Sequence, residues 1–524
     1  MTLLIAMLTS TALAGGLPGV LVAWKNDHGT LFVDVPPGEH IAPDAPASGW
    51  IEVDDQHLEV AGSGSAVAKG LGLYVPGRSV RTVQGELRLS LCEDGGTTCR
   101  VVDVGFIGTI DGRKGEMHLA VHPPTADPQE GPPDHDAPHL SPDEAFAAAT
   151  SSGQLVLLDF SAVWCPPCNL LAAEVLHDPD NAGDLAPFVV TEVDVDRRSS
   201  WDIKDRYAVG GYPTVVVARA DGTEVDRMVG FPGEAGFLAW LEATQSDALP
   251  PLGELVAAAD SLSPADAATA ALRLAQAERE DEARQLLARA DDGVEAHMAR
   301  LMLEPAEAEV AWLAKEGGAR IYDWVFHADA VELSEETTAL LRSALDRAVP
   351  AVTPIQAADL LYMRATLADD AAAPGYYAAA AALLQSALSG DPARDRGHYT
   401  FLATLLERAG DPDAALDVLR DATRAWPHEF TFHFAAAGLL QRQGRYTDAL
   451  PYALAAEALS YGDMRLRAVH RHAELLFALG QDDDARALIA QTLEETERPA
   501  DDVKVRTGRY LDKLVELNRT HADR

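Results

Sequence analysis

Hydrophobic and polar positions follow three successive rhythms along the chain. From about Val20 to Val121, apolar and polar residues alternate in short runs such as Leu31-Phe-Val-Asp-Val35, Trp50-Ile-Glu-Val53 and Glu86-Leu-Arg-Leu-Ser-Leu91, punctuated by Gly, Pro and Asp. A period of two broken by turn residues predicts an antiparallel β-sandwich over residues 20–121. His122 to Pro142 holds seven prolines among acids and histidines, so residues 122–140 read as a semi-extended linker. A mixed pattern follows over residues 141–245. Ser141-Pro-Asp-Glu144 has the form of a capping box with proline at the first helical position, and it starts a helix through Ala149. Leu155-Val-Leu-Leu-Asp-Phe160 reads as a buried strand, Pro166 to about His177 as a helix, and Phe188-Val-Val-Thr-Glu-Val-Asp194 as a second strand. Trp201–Tyr207 reads as helix, Thr214–Ala218 and Glu224–Val229 as strands joined by Asp221-Gly222, and Glu234–Ala243 as a closing helix.

Residues 255–520 turn to Ala-rich amphipathic helix, with small residues recurring at a fixed interval. Gly410 and Gly444 stand 34 apart, Ala415 and Ala449 five beyond each, and Ala422 and Ala456 twelve beyond. Gly480 with Ala485 continues the pattern, Pro427 closes one unit, and Ala380, Ala387 and Pro392 lie 35 before Ala415, Ala422 and Pro427. Small residues at these offsets let paired antiparallel helices approach closely. The period resembles tetratricopeptide repeats over about Ala378–Glu497, with a fainter copy at Ala265–Ala290. Glu295–Pro350 has helical character without an assignable repeat.

Composition sets bounds on function. Of 524 residues, 82 are acidic and 42 basic, a net charge of −40, while 47% are apolar. The apolar share excludes a largely disordered chain. The charge argues against nucleic acid, because phosphate binding needs Lys and Arg. Met1–Ala14, with an apolar stretch at Leu3–Leu8 and small residues at Ala12-Leu13-Ala14, reads as a cleavable signal peptide; a buried first strand is the other reading. The expected product is a bacterial periplasmic or secreted protein. No run reaches the length needed to span a bilayer, so a membrane-spanning protein is not expected. His135, Asp136 and His139 could bind metal, a minor possibility in such a linker, and no metal or cofactor is expected.

Four cysteines fall in two close pairs, Cys92/Cys99 and Cys165/Cys168. Trp164-Cys165-Pro166-Pro167-Cys168 directly follows a buried strand and opens a helix. Cys165 there faces unsatisfied backbone N–H groups that favour its thiolate, and a second thiol three residues on can resolve a mixed disulfide. A purely structural disulfide and half of a zinc site are the bland alternatives. With Asp159 six residues before Cys165 and Gly211-Tyr212-Pro213-Thr214 downstream, residues 141–243 resemble the thioredoxin superfamily.

The resemblance implies a catalytic set of nucleophile Cys165, resolving Cys168 and buried proton shuttle Asp159. It also implies a cis-proline loop, Tyr212 with Pro213, which docks substrate together with Trp164. Two departures are Glu192, about where thioredoxin carries a lysine near the buried acid, and Pro166-Pro167 in place of Gly-Pro.

Cys92-Glu-Asp-Gly-Gly-Thr-Thr-Cys99, between two β-runs upstream, looks like the N-terminal domain of DsbD-type thiol:disulfide reductases, an immunoglobulin-like sandwich with a redox pair. Leu176-His-Asp-Pro179 fits the C-terminal domain of that family. Here the spacing is six residues rather than five, Arg100-Val-Val follows the second cysteine, and no membrane hub lies between the domains. Cys92/Cys99 therefore remains either a second redox pair or a structural disulfide. The leading expectation is an exported thiol–disulfide oxidoreductase acting on protein disulfides, recharged by a separate membrane electron donor, with repeats that recruit a protein partner. The alternative is a repeat-based assembly scaffold in which the thioredoxin fold only binds.

Overall fold

The computed structural model describes residues 18–25, 28–36, 38–54, 56–74, 80–94, 99–110, 114–122, 129, 140–245, 250–500 and 505–522. The expected signal peptide at 1–14, and the linker 122–140 apart from residues 122, 129 and 140, lie outside them. So do His135, Asp136 and His139. The chain divides into two units: Met1–Pro138 with Asp196–Trp201 and Arg420–Arg524, and His139–Val195 with Asp202–Leu419.

In the first unit, nine strands form the N-terminal β-rich region. They are β1 (Gly19–Lys25), β2 (His28–Asp34), β3 (Glu39–Ile41), β4 (Pro46–Val53), β5 (Gln56–Ser63), β6 (Leu71–Tyr74), β7 (Arg81–Glu93), β8 (Cys99–Ile110) and β9 (Lys114–His122), with a short helix α1 (Gly64–Ala68) before β6. Their hydrogen-bonded order is β5-β4-β7-β8-β9-β1-β2-β6, with β3 on β7. Every pairing in it is antiparallel. The alternation read from sequence is the alternation of burial. In β7, Leu87, Leu89 and Leu91 are buried while Glu86 and Arg88 stand exposed. Five helices of the same unit run from Phe430–Arg442 to Thr507–Ala522. One of them, Tyr446–Leu459, lays Ala455 against Ile107 of β8.

The second unit begins with α2 (Pro142–Ser152), where Ser141 and Glu144 make the expected capping box. Then come β10 (Leu155–Ser161), α3 (Pro166–Leu171), α4 (Ala182–Leu185), β11 (Phe188–Asp194), α5 (Trp201–Arg206, whose first residue belongs to the other unit), β12 (Thr214–Ala218), β13 (Glu224–Val229) and α6 (Glu234–Thr244). The sheet runs β11-β10-β12-β13, with β10 parallel to β11 and antiparallel to β12. β10 is central and buried from Val156 to Phe160, which is why its sequence is apolar at nearly every position. The helix expected from Pro166 to His177 is not uniform. After Leu171 it widens into one π-helical turn, Ala172–Leu176, closed by the His177 N–H on the Ala172 carbonyl at 2.8 Å.

From Leu252 onward every described element is helical. Gly410, Gly444 and Gly480 end the first helix of a pair with φ of +94°, +71° and +75°, and Ala415, Ala449 and Ala485 are buried in the second helices. The fainter copy is also a helix pair, Pro264–Gln276 and Glu280–Leu287. Its turn puts Glu278 at φ +60°, the position that glycine holds in the others.

Ala449 has no exposed surface. Ala449→Leu is expected to cost about 1–3 kcal/mol through overpacking, whereas Ala490→Leu on an exposed face is near neutral. Urea midpoints of the two variants check this; equal midpoints would contradict close helix approach at Ala449.

Candidate functional site

The chain leaves the buried end of β10 and reaches Cys165 in four residues. Cys165 caps α3 with extended backbone, Pro166 and Pro167 fill the first two helical positions, and Cys168 takes the third. Proline suits that start because its missing N–H would have no helical acceptor there. The Cys168 N–H donates to Cys165 Sγ at 3.3 Å, and the two cysteines are joined in a disulfide. Such an N–H stabilises negative charge on Cys165 once the bond is reduced. The Asn169 side-chain amide donates to the Val163 carbonyl at 3.0 Å and fixes the approach to the helix.

The pair is covered in the oxidised chain: Cys165 is 2% and Cys168 3% exposed. Both belong to the core that also holds Phe160, Val195 and Tyr207, with Trp164 and Tyr212 packed against it. Trp164 meets Tyr212 edge to face at 6.0 Å between ring centroids. The Tyr212–Pro213 peptide bond is cis, and Thr214 pairs with Phe160, which places Pro213 at the sheet end from which the chain departs toward Cys165. Thr214 Oγ1 donates to the Gly211 carbonyl at 2.9 Å, and Gly230 N–H donates to the Pro213 carbonyl at 2.8 Å, so the loop is held from both sides.

Asp159 lies two residues before the end of β10 and is 1% exposed. Neither carboxylate oxygen meets a hydrogen-bond donor in good geometry. Burial, reinforced by the Glu192 carboxylate, raises its pKa from 3.8 to about 7; the Ser161 hydroxyl and His177 pull the other way. Glu192 is the residue directly beside Asp159 on β11. Its Oε1 pairs with His177 Nε2 at 2.7 Å, and that bond holds the His177 pKa above the ordinary value. His177 was not a site candidate from sequence. Its available signals were the Leu176-His-Asp-Pro179 segment that contains it and the acid at position 192, whose charge in a neighbouring strand needs a partner.

A second feature escaped sequence reading. Arg396–His398, far along the chain, lies on the start of α3: a side chain at Gly397 would come within 2.7 Å of the Pro166 carbonyl oxygen and 2.8 Å of Leu170. Only glycine lets the two backbones meet there. Cys92 and Cys99 face each other across β7 and β8 and form a disulfide, with Cys92 buried and Cys99 exposed. They belong to the first unit and Cys165/Cys168 to the second. Among the described residues no cluster of His, Cys, Asp and Glu suits a metal ion, and no helix is long and apolar enough to cross a membrane.

Residues 142–245 match the family described as a thioredoxin-like domain. The chain is 37% identical over 94 residues to a thioredoxin of Bacillus subtilis, covering 18% of this chain and 85% of that protein. It is 35% identical over 107 residues to the thiol:disulfide interchange protein DsbD 2 of Pseudomonas aeruginosa, covering 20% of this chain but only 18% of that protein. Among solved structures, a thermophilic tetratricopeptide-repeat protein of Thermus thermophilus aligns at 23% identity and TM-score 0.24, over 38% of this chain and 98% of that one.

A carboxyl whose folded pKa is raised stabilises the fold below its unfolded pKa and loses that contribution as pH rises through the folded value. Asp159→Asn should therefore match wild type near pH 4 and exceed it by up to about 4 kcal/mol at pH 8. Denaturant midpoints across that range test the sign; an advantage that shrinks with rising pH would contradict a neutral buried Asp159.

Proposed function

The chain belongs to the thioredoxin family through residues 142–245, and on that premise we propose that it is an exported thiol–disulfide oxidoreductase acting on protein disulfides. One observation carries the reading: a Cys165–Cys168 disulfide caps α3 directly after a strand that holds an unpartnered buried carboxyl at Asp159. A structural disulfide needs no such acid, whereas thiol exchange needs a group that takes and returns a proton near neutral pH.

In the reductive direction, the Cys165 thiolate attacks one sulfur of a client disulfide. That S–S bond breaks, a mixed disulfide forms, and the leaving client thiolate takes up a proton. The Asp159 carboxylate accepts the proton of the Cys168 thiol, and the Cys168 sulfur then attacks Cys165 Sγ. The second client thiol is released, two electrons have passed to the client, and the Cys165–Cys168 disulfide remains. Trp164, Tyr212 and Pro213 form the docking face for the client strand. Recharging requires a dithiol donor, which we assign to a separate membrane protein. No cofactor enters the cycle.

The wider assignment is of the same kind. Residues 1–14 form the signal peptide, 20–121 an immunoglobulin-like sandwich, 122–140 the linker, 141–245 the thioredoxin-like domain and 255–520 the repeat array. One core that gathers Val22 and Leu31 with Ile51 and Leu87 from distant parts of the strand order supports the sandwich. Cys92/Cys99 is retained as a second disulfide, redox-active or structural. Contact of Gly397 with the start of α3 supports a role for the repeats in presenting a protein partner beside the pair.

Cys168→Ser is expected to accumulate mixed disulfides with client proteins, while Cys165→Ser and the double variant accumulate none. Non-reducing gels with mass spectrometry read this directly. Absence of adducts in Cys168→Ser, together with no reduction of a model protein disulfide by wild type, would overturn the enzymatic reading.

A further inference from the structure

Asp159 is buried in a sheet core, yet a proton relay must answer to solvent. Three side chains bear on that problem. Asp159 and Glu192 are lateral neighbours on the parallel strands β10 and β11, so their side chains project to the same side of the sheet. His177, in the residue that closes the π-helical turn, reaches Glu192 at 2.7 Å. Side-chain exposure of Glu192 is 21% and that of His177 54%, so the three residues make a gradient from core to water. The π-helical turn matters here because it adds a residue to the helix and so sets where His177 emerges.

We propose that His177 and Glu192 are positioning residues for the relay, a surface-titrating ion pair whose charge state sets the readiness of Asp159 to accept the resolving thiol's proton. The proposal rests on the oxidoreductase reading for its purpose. Its electrostatics follow from the geometry. With His177 protonated, the pair is nearly neutral toward Asp159 and the carboxyl ionises with little opposition beyond its burial. When His177 loses its proton, its positive charge no longer offsets the Glu192 carboxylate beside Asp159, and ionisation of Asp159 becomes harder. The groups that shift Asp159 are Glu192 from β11, His177 from the helix end and the Ser161 hydroxyl from its own strand; Glu192 and Asp159 both raise His177. A lone acid at position 192 would hold Asp159 protonated and idle. The histidine offsets that acid, and it does so over the pH range in which imidazole titrates.

Removing either partner must therefore move Asp159 in opposite directions, which a merely structural pair would not do. The test uses the full oxidised chain and infrared titration of the carboxyl band, each spectrum taken as a difference from the same protein carrying Asp159→Asn. His177→Gln is expected to raise the Asp159 midpoint and Glu192→Gln to lower it, each by about one unit, with His177→Lys returning it toward wild type. In client reduction, the rise of rate with pH should shift upward for His177→Gln and downward for Glu192→Gln. Midpoints that stay in place, or that move in the same direction, overturn the proposal. If His177→Gln does not fold, the Glu192→Gln midpoint decides alone, and failure to fall overturns it. Should the midpoints part as expected while wild type reduces no disulfide, the coupling stands and the oxidoreductase reading fails.

Discussion

A carboxyl group in the middle of a sheet core constrains much of the second unit. Asp159 sits buried in the central strand β10, and a poorly satisfied buried carboxylate is among the most expensive groups a fold can hold. The surrounding strand residues Leu157, Leu158 and Phe160 are fully buried as well. The fold meets that cost by keeping the group neutral over most of the acidic range, with a pKa near 7. That value is also where a proton acceptor for a thiol works best, since it is neither permanently charged nor permanently protonated at neutral pH. Destabilisation and chemical usefulness are here two descriptions of the same burial.

The same constraint makes sense of the residues around it. A lysine beside Asp159 would favour its ionised form directly. This chain has Glu192 there instead, which taken alone makes the burial worse, and His177 is the compensation. On the other side of β10, Thr214 pairs with Phe160, bringing the cis Tyr212–Pro213 bond to the strand end that leads to Cys165. The cis-proline loop and the acid are thus placed by register in one four-stranded sheet, and the sulfur pair follows directly from the end of β10.

Legibility in the sequence followed how local each cause is. The capping box at Ser141, the apolar β10, the prolines that open α3 and the glycine-ended helix pairs were readable because each is decided by neighbours within a few positions. Glu278 shows the limit of that logic. Its turn adopts the left-handed backbone without glycine, so the repeat at Pro264–Leu287 left only a faint trace in sequence although the helix pair is complete. The π-helical turn and the meeting of His177 with Glu192 depend on where a strand 15 residues away comes to lie, and no local pattern encodes that. The packing of Gly397 on Pro166 spans still more of the chain, and a single glycine among Arg396–His398 gives no warning of it.

Position 397 also bears on how chemistry and repeats relate. A Cβ at position 397 would meet both the carbonyl of the residue after Cys165 and the Leu170 side chain, so the repeat segment packs closely on the first turn of α3. The cysteines themselves are nearly inaccessible in the oxidised chain, at 2% and 3%. Trp164 and Tyr212 pack beside the pair, and the segment at Gly397 lies on the start of α3. Within the second unit the repeat segment and the thioredoxin-like fold thus meet at the first turn of α3, next to Cys165.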